Sequence, residues 1–441
     1  MLTKQLSSRR YVTTLSFVVG IVCIATFVVN AIVDPYAMTE WVNRPGFNSH
    51  KAALIDHTRI GKPLAVMRKK PKVLLMGISR EARGYDLGSP AWGEASTPRY
   101  NLALDSGHIR ELRDYYEHSA NVAPVQELVL GLDFLLMFDA RYLPHAYDSR
   151  LLVKEGQPRS AVYWRAFQYL LSFDTLSDSL ATMKNESISV AEFDAYGSRT
   201  DTSLQQQPRR AGGQRNMFRF SESRQYFDNQ IRMLLDKPFT TVNGDYSTLA
   251  DLGMLLDRAA RDGVRVTLVI APVHARQLEV YRLLGLWPAY ERWKRDVLSV
   301  ASGERHRQVR NEYFVWDFTT YHPLTWETVP AMGDIETRMQ YYWESSHFKR
   351  ALGDKVLQRI FGTGAVDDGF GVRLTATTFD ADTAATRQRG EQYRATHRDD
   401  LAELGELLCA SYRGVKLRFP KLNPATLPDF EQVLTQEARC K

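Results

Sequence analysis

Lys72-Val73-Leu74-Leu75-Met76-Gly77-Ile78-Ser79 is the stretch whose reading decides the fold. A short apolar run between a lysine and a glycine predicts a strand buried on both faces. The pattern repeats outward from it. Arg99-Tyr100-Asn101-Leu102-Ala103 predicts a second strand and Leu128-Val129-Leu130-Gly131-Leu132 a third. Ile109, Leu112, Tyr115 and Tyr116 lie between them at helical spacing, over 107–120. Val264 to Ile270, stopped by Ala271-Pro272, predicts a fourth strand, and Tyr313 to Phe318 a fifth. Helices are expected over 246–261, 275–286, 289–302 and 349–360. Buried strands separated by helices predict an α/β domain over 71–362, with a parallel sheet and crossover helices.

An insertion over 150–245 interrupts this alternation. It holds helical pieces at 162–183 and 222–235 and a stretch rich in Gln, Arg and Gly, Thr200 to Arg215, expected to be mobile. Upstream, Tyr11 to Val33 is a run of 23 residues without a charge. As a helix it would span about 35 Å, enough for a hydrocarbon core of roughly 30 Å. Lys4, Arg9 and Arg10 precede it and Asp34 follows, so the positive-inside bias predicts a cytoplasmic N-terminus, 1–10, and an external remainder. The run is longer than a signal-peptide core and ends without an Ala-x-Ala sequence, which favours an uncleaved anchor at 11–33. Asp34-Pro35-Tyr36 breaks the helix, and 34–70 reads as a stalk packing onto the domain. Residues 363–441 form a C-terminal appendage, with a polar amphipathic helix over 380–412.

The chain of 441 residues is 44 % hydrophobic and 24 % charged, ordinary for a chain folding around a core. A net charge of +6 is mild at this length. An ordinary solvated surface carries as much; the charge also suits a domain near an anionic membrane or an acidic polymer and is too weak to argue nucleic acid. Of three cysteines, Cys23 lies within the anchor. Cys409 and Cys440 either close a loop of about 30 residues by a disulfide, as an oxidising compartment would allow, or stay free. No Cys-x-x-Cys, His-x-His or His-Glu-x-x-His is present, so no metal or other cofactor is expected.

Active residues of open parallel sheets collect beyond the carboxyl ends of the strands. The first strand ends at Gly77-Ile78-Ser79-Arg80, the second at Asn101 and then Ser106-Gly107-His108, and the third at Gly131-Leu132-Asp133. The fourth ends at Pro272-Val273-His274 and the fifth at Asp317. Glu344-Ser345-Ser346-His347-Phe348 stands before the last helix. A serine after the first strand and an acid-x-x-His before the final helix resemble the SGNH (GDSL-like) hydrolase superfamily, in its membrane-anchored bacterial branch associated with acyl groups on surface polymers. The resemblance covers roughly 70–362. It implies a three-layer, flavodoxin-like fold with about five parallel strands. It also implies a nucleophile at Ser79, a base at His347, an orienting acid at Glu344, and an oxyanion hole from Ser79, Gly107 and the position of Asp133.

The chemistry behind these residue types is direct. A serine hydroxyl needs a neighbouring base to become a nucleophile, and a carboxylate fixes that base's tautomer. Glu344 stands where the family has Asp and is one methylene longer, so it either orients His347 or serves a structural ion pair. Asp133 stands where the family has Asn, and an ionised carboxylate only accepts hydrogen bonds. Either burial keeps it protonated, or Arg80, Arg83 or backbone N–H groups near Ser79 take its place. Asn101, His274, Arg80 and Arg83 are candidate substrate-binding residues. Asn101 is alternatively a turn former and His274 a helix cap. His108 and Asp317 read more as capping residues, and Trp343 and Phe348 as sugar-ring walls or packing.

The resemblance thus implies a serine acyl-esterase or O-acyltransferase on a cell-surface polysaccharide. It implies a single-pass protein of the inner (cytoplasmic) membrane with a periplasmic or extracytoplasmic domain, and a membrane protein as acyl donor. The alternative is a catalytically inactive scaffold or polysaccharide-binding component of a synthesis or export complex. Asp133 and the missing Gly-Asp-Ser aspartate point toward it.

Overall fold

The computed structural model of the chain describes residues 2–94, 97–137, 147–185, 192–200, 202–231, 241–243, 246–303, 313–418 and 440. It forms two compact units, Met1–Lys70 with Ala146–Asp194 and Pro71–His145 with Ala195–Lys441. The stretch read as a stalk therefore shares a unit with the first part of the expected insertion. The remainder of the insertion belongs with the sheet.

In the first unit, helix α1 (Leu2–Val33) contains a segment, Arg9–Val33, long and apolar enough to cross a membrane. Its end is closed by specific groups. Asp34 adopts a left-handed φ of 51°, and its carboxylate accepts the N–H groups of Met38 at 2.6 Å, Thr39 at 3.1 Å and Glu40 at 2.7 Å. The Asn48 amide donates to the carbonyls of Ile32 and Val33, which the helix leaves without partners. Helices α2 (Thr58–Lys69), α5 (Ser160–Leu170) and α6 (Phe173–Lys184) complete this unit.

The second unit is mixed α/β. Strands β1 (Val73–Met76), β2 (Arg99–Asn101), β3 (Glu127–Leu132), β6 (Arg265–Ile270), β7 (Phe314–Asp317) and β8 (Val372–Leu374) form one sheet in the order β2-β1-β3-β6-β7-β8. Five run parallel. The register pairs Val73 with Arg99 and Glu127, Glu127 with Arg265, and Thr267 with Phe314, so all five carboxyl ends share one rim. A sixth strand, not expected, runs antiparallel: β8 pairs Val315 with Leu374 at the edge. It is too short for its periodicity to show in sequence. Two further strands, β4 (Val242–Asn243) and β5 (Tyr246–Ser247), form a separate hairpin.

Side chains alternate across the sheet. Val73, Leu75, Val129 and Val269 join a core with Tyr85, just past α3 (Ser79–Gly84), with Phe348, and with Leu352 and Val356 of α12 (Arg350–Phe361). On the other face lie the fully buried Leu74, Leu128 and Leu268. Helix α4 (Ile109–Val122) packs there against α9 (Thr248–Arg261), which packs against α11 (Trp287–Ala301).

The stretch expected to be mobile forms helices α7 (Thr202–Arg210) and α8 (Gln214–Phe220), continued by a π-helical turn, Ser221–Asp228. The expected helix at 222–235 is thus π-helical to Asp228 and α-helical at 229–231, and 232–235 lie outside the described residues. The appendage carries two helices, α13 (Phe379–Thr396) and α14 (Arg398–Arg418), rather than one. They part at His397, whose ring Nδ1 bonds the Tyr393 carbonyl at 3.0 Å and competes with the helical ladder. Cys409 and Cys440 are disulfide-bonded.

Ion pairs fasten α14 to the π-turn. Arg276, at the start of α10 (Ala275–Leu283) and fully buried, contacts Glu222 at 2.7 Å, Asp400 at 2.7 Å and Glu403 at 2.9 Å. Glu403 also meets Arg215 at 2.8 Å and Arg219 at 2.6 Å. A buried cation with several carboxylates repays its desolvation only while every partner is present. Arg276→Met, which leaves Glu222 buried and unpaired, is expected to lower stability by about 3–5 kcal/mol. Urea denaturation checks this, and a loss below about 1 kcal/mol contradicts it.

Candidate active site

Ser79 opens α3, directly beyond β1. The turn that presents it depends on Gly77, whose φ of 151° few side chains tolerate. A Cβ there, or on Gly131 of β3, would overlap the Glu81 side chain. The two glycines thus make room for a buried carboxyl group beneath the serine. Glu81 accepts the Ile78 N–H at 2.9 Å. Burial dominates over that bond and over nearby Arg80, and lifts its pKa from 4.5 to about 7.

His347 reaches the serine from the loop before α12. Its Nε2 lies 2.7 Å from Ser79 Oγ, and its Nδ1 bonds Glu344 Oε1. Glu344 is further held by the N–H groups of His347 at 2.8 Å and Ser346 at 3.1 Å. Burial opposes its charge. The His347 contact and these hydrogen bonds prevail and bring its pKa down to about 2. An ionised Glu344 only accepts, so the shared proton sits on Nδ1 and leaves Nε2 free to accept the Ser79 proton. The longer acid thus folds back onto the imidazole, and both of its oxygens are occupied.

Arg80 follows the serine and points the other way. It is 4 % exposed, pairs with Asp133, and donates through Nε to the Ser346 carbonyl at 3.1 Å and through Nη2 to Ser346 Oγ at 3.1 Å. Asp133 also accepts the Leu135 N–H at 2.7 Å. Both readings of these residues are corrected. Asp133 is the counterion of Arg80 rather than an oxyanion donor, and Arg80 is a buried clamp rather than a substrate cation. Desolvation disfavours the Arg80 charge, but Asp133 more than offsets it and holds the guanidinium pKa above its ordinary value.

Gly107 is corrected as well. Its N–H donates to the Leu104 carbonyl at 3.0 Å, in a turn set by Ser106 at a φ of 52°, and so is already engaged. Asn101 is fully buried. Its amide donates to the Glu81 carbonyl at 2.8 Å and to Ser198 Oγ at 3.0 Å, and its oxygen accepts the Ala103 N–H at 3.0 Å. It ties β2 to α3 instead of meeting a substrate. His274 is the N-cap of α10, and its ring bonds the Glu327 carbonyl at 2.8 Å and the Arg276 N–H at 3.3 Å. Burial pushes its pKa down to about 4. A neutral ring with both nitrogens engaged serves packing rather than binding. His108 caps α4, Asp317 is held by Lys294 at 2.6 Å, and Phe348 is core.

Of the expected substrate-binding groups, Arg83 borders the site. A cavity of about 630 Å³ opens beside His347 and Glu344, lined by Arg83, Gln207, Arg210, Asn216, Phe220 and Trp343 among others. Trp343 carries the Lys349 ammonium over its ring at 4.3 Å, and its indole N–H has no hydrogen-bond partner among the described residues. Gln207, Arg210, Asn216 and Phe220 belong to the stretch expected to be mobile or to α8 after it, so sequence reading missed them. The one signal was the apolar pair Met217-Phe218 with Leu204, too sparse beside so much Gln and Arg.

The π-turn gives three neighbours of the site. Ser221 lines the cavity beside Glu344, Glu222 binds Arg276, and the Tyr226 hydroxyl lies near Arg80 and Glu344. π-Helical turns recur at functional sites because they re-aim side chains within a helix.

The chain matches no model of a known protein family, no curated protein and no solved structure.

The raised Glu81 pKa has a definite sign. The folded state holds the Glu81 proton up to about pH 7, whereas the unfolded chain releases it near 4.5, so stability falls as pH rises between them. Glu81→Gln removes the buried charge at high pH. It is expected to stabilise the protein by about 1–3 kcal/mol at pH 8 and to be near neutral at pH 5. Denaturation at the two pH values tests this, and an equal effect at both contradicts it.

Proposed function

We propose that the chain is a membrane-anchored SGNH-type (GDSL-like) serine acyl-esterase or O-acyltransferase acting on a cell-surface polysaccharide. The observation that carries this reading is the Ser79–His347–Glu344 relay, with its 2.7 Å contact between Ser79 and His347. It stands at the rim of a parallel sheet and beside a cavity. The mostly parallel sheet, with its five parallel strands in the order β2-β1-β3-β6-β7 and the antiparallel β8 at its edge, is compatible with the flavodoxin-like arrangement that the family reading implies.

The reaction follows from the relay. His347 Nε2 takes the Ser79 proton as Oγ attacks the acyl carbonyl. The same proton passes to the departing sugar oxygen as the C–O bond breaks and acyl-Ser79 remains. A second oxygen nucleophile, deprotonated by His347, then releases the acyl group. Water gives hydrolysis and a sugar hydroxyl gives transfer. Among the expected oxyanion donors, the Ser79 N–H remains, because the first N–H groups of a helix lack intrahelical acceptors. Trp343 and Phe220 offer faces to sugar rings, and Arg83 and Arg210 offer cations to an acidic polymer.

The apolar helix supports a single-pass anchor. The basic residues ahead of it support a cytoplasmic N-terminus in the inner membrane, and the Cys409–Cys440 disulfide supports a periplasmic domain. A membrane acyl-donor protein fits as the partner of the transfer variant.

A second reading rests on the engaged Gly107 N–H and the Asp133–Arg80 pair. Loss of one oxyanion donor typically costs about 10²–10³-fold in rate, and here two expected donors are occupied. That favours an inactive scaffold or polysaccharide-binding component.

Hydrolysis of p-nitrophenyl acetate and of an O-acetylated oligosaccharide by the full-length protein separates the two. Ser79→Ala is expected to lower kcat/KM by at least about 10³-fold, and Glu344→Gln by about 10³–10⁴-fold. Equal rates for wild type and Ser79→Ala, with Ser79→Ala functional in cells, support the scaffold instead.

A further inference from the structure

Helix α1 is exposed along most of its length and covered only at its end. Tyr11, Phe17 and Ile24 are more than half exposed, whereas Thr26, Asn30, Ala31 and Val33 are buried. The cover is the hairpin of α5 and α6. Phe167 packs on Phe27 with ring centroids 5.4 Å apart. The Asn30 amide donates to the carbonyls of Leu170 and Ser172 at 2.9 and 3.1 Å, and Ser179 Oγ donates to Asn30 Oδ1 at 2.9 Å. Asn30 thus satisfies the non-helical backbone joining α5 to α6. Its position, three residues before the end of α1, places that turn about 5 Å below the helix end. Irregular backbone at such a depth persists in a membrane only when its polar groups find protein partners.

The outer face of the hairpin is aromatic. Val162, Ala166 and Leu170 turn inward at helical spacing, and Tyr163, Trp164 and Phe167 turn outward. Trp164 is 61 % exposed and stacks on Phe167; Phe173 of α6 is 66 % exposed and Leu180 is 55 % exposed. Phe27, Met38, Trp41, Met67, Tyr163 and Phe167 line an apolar groove of about 280 Å³ that is continuous with the flank of α1. Trp164 lines a second groove, bordered by Lys154 and by Arg150, which pairs with Asp148 at 2.8 Å. Tryptophan and tyrosine beside basic residues form the composition of a membrane–water interface.

We propose that the α5–α6 hairpin is a second membrane contact, seated in the outer leaflet of the bilayer that α1 crosses. An acyl chain occupies the apolar groove, and lipid phosphates meet Lys154. The inference rests on the anchor reading of α1 and is independent of the chemistry at Ser79. A lipid occupant is favoured over a partner protein because the aromatic face adjoins the membrane-length helix at the depth of its last two turns.

The test uses the full-length protein in phosphatidylcholine–phosphatidylglycerol liposomes with no other protein present. Cys23 is the free cysteine and lies in the middle of the apolar run. A nitrobenzoxadiazole label on Cys23 reports the anchor. The same label on Trp164→Cys or Phe173→Cys, each in a Cys23→Ser background, reports the hairpin. Shallow doxyl-lipid is expected to quench the labels at 164 and 173 at least about twofold more than aqueous iodide does, and deep doxyl-lipid to quench the label at 23. If 23 is quenched by lipid while both hairpin labels respond to iodide alone, the proposal fails and the anchor stands. If the label at 23 itself responds to iodide, the anchor reading fails and takes the proposal with it.

Discussion

The buried Arg80 guanidinium is the constraint on which the site depends. It follows Ser79 in the chain, and its partner Ser346 precedes His347. One side chain thus fixes the distance between two loops from opposite ends of the domain, and the Ser79–His347 hydrogen bond falls within that clamp. Asp133, from the end of β3, supplies the compensating charge. Without it a buried cation would sit unpaired beside the reacting groups, a cost of several kcal/mol. The clamp is therefore anchored to the sheet itself, through adjacent strands β1 and β3.

A second layer of charge holds the wall of the cavity. Arg276 gathers Glu222 from the π-turn with Asp400 and Glu403 from α14, so the C-terminal helix braces the segment that carries Ser221 and Tyr226. Ser221 lines the cavity beside Glu344, and the Tyr226 hydroxyl lies near Arg80 and Glu344. The appendage thereby braces the wall of the cavity beside His347, which is built mainly by residues outside the sheet.

The sheet was legible because buried strands leave apolar runs with glycine or proline at their ends. Ser79, His347 and Glu344 were legible because they follow or precede such elements in a recognisable order. Partners of the polar residues were not. Arg80 and Asp133 each looked misplaced alone, one a stray cation and the other a carboxylate in a donor's position. They explain one another only when β1 and β3 lie side by side. Asn101, His108 and His274 stand at element ends, where capping residues and ligands have the same composition. The Gly107 N–H depends on the left-handed turn at Ser106, which composition does not encode. The stretch Thr200 to Arg215 was read as mobile because its support is remote: Arg209 pairs with Glu336, and Arg215 with Glu403. The edge strand β8 was missed for its brevity.

The central claim is that Ser79 is a nucleophile activated by His347. The most direct measurement is intact-mass spectrometry with peptide mapping after treatment with a fluorophosphonate, which phosphonylates activated serines with loss of fluoride. A single adduct on Ser79, absent in His347→Ala, is the predicted result. An unmodified protein, or an adduct on Ser79 that forms as fast in His347→Ala, would contradict it.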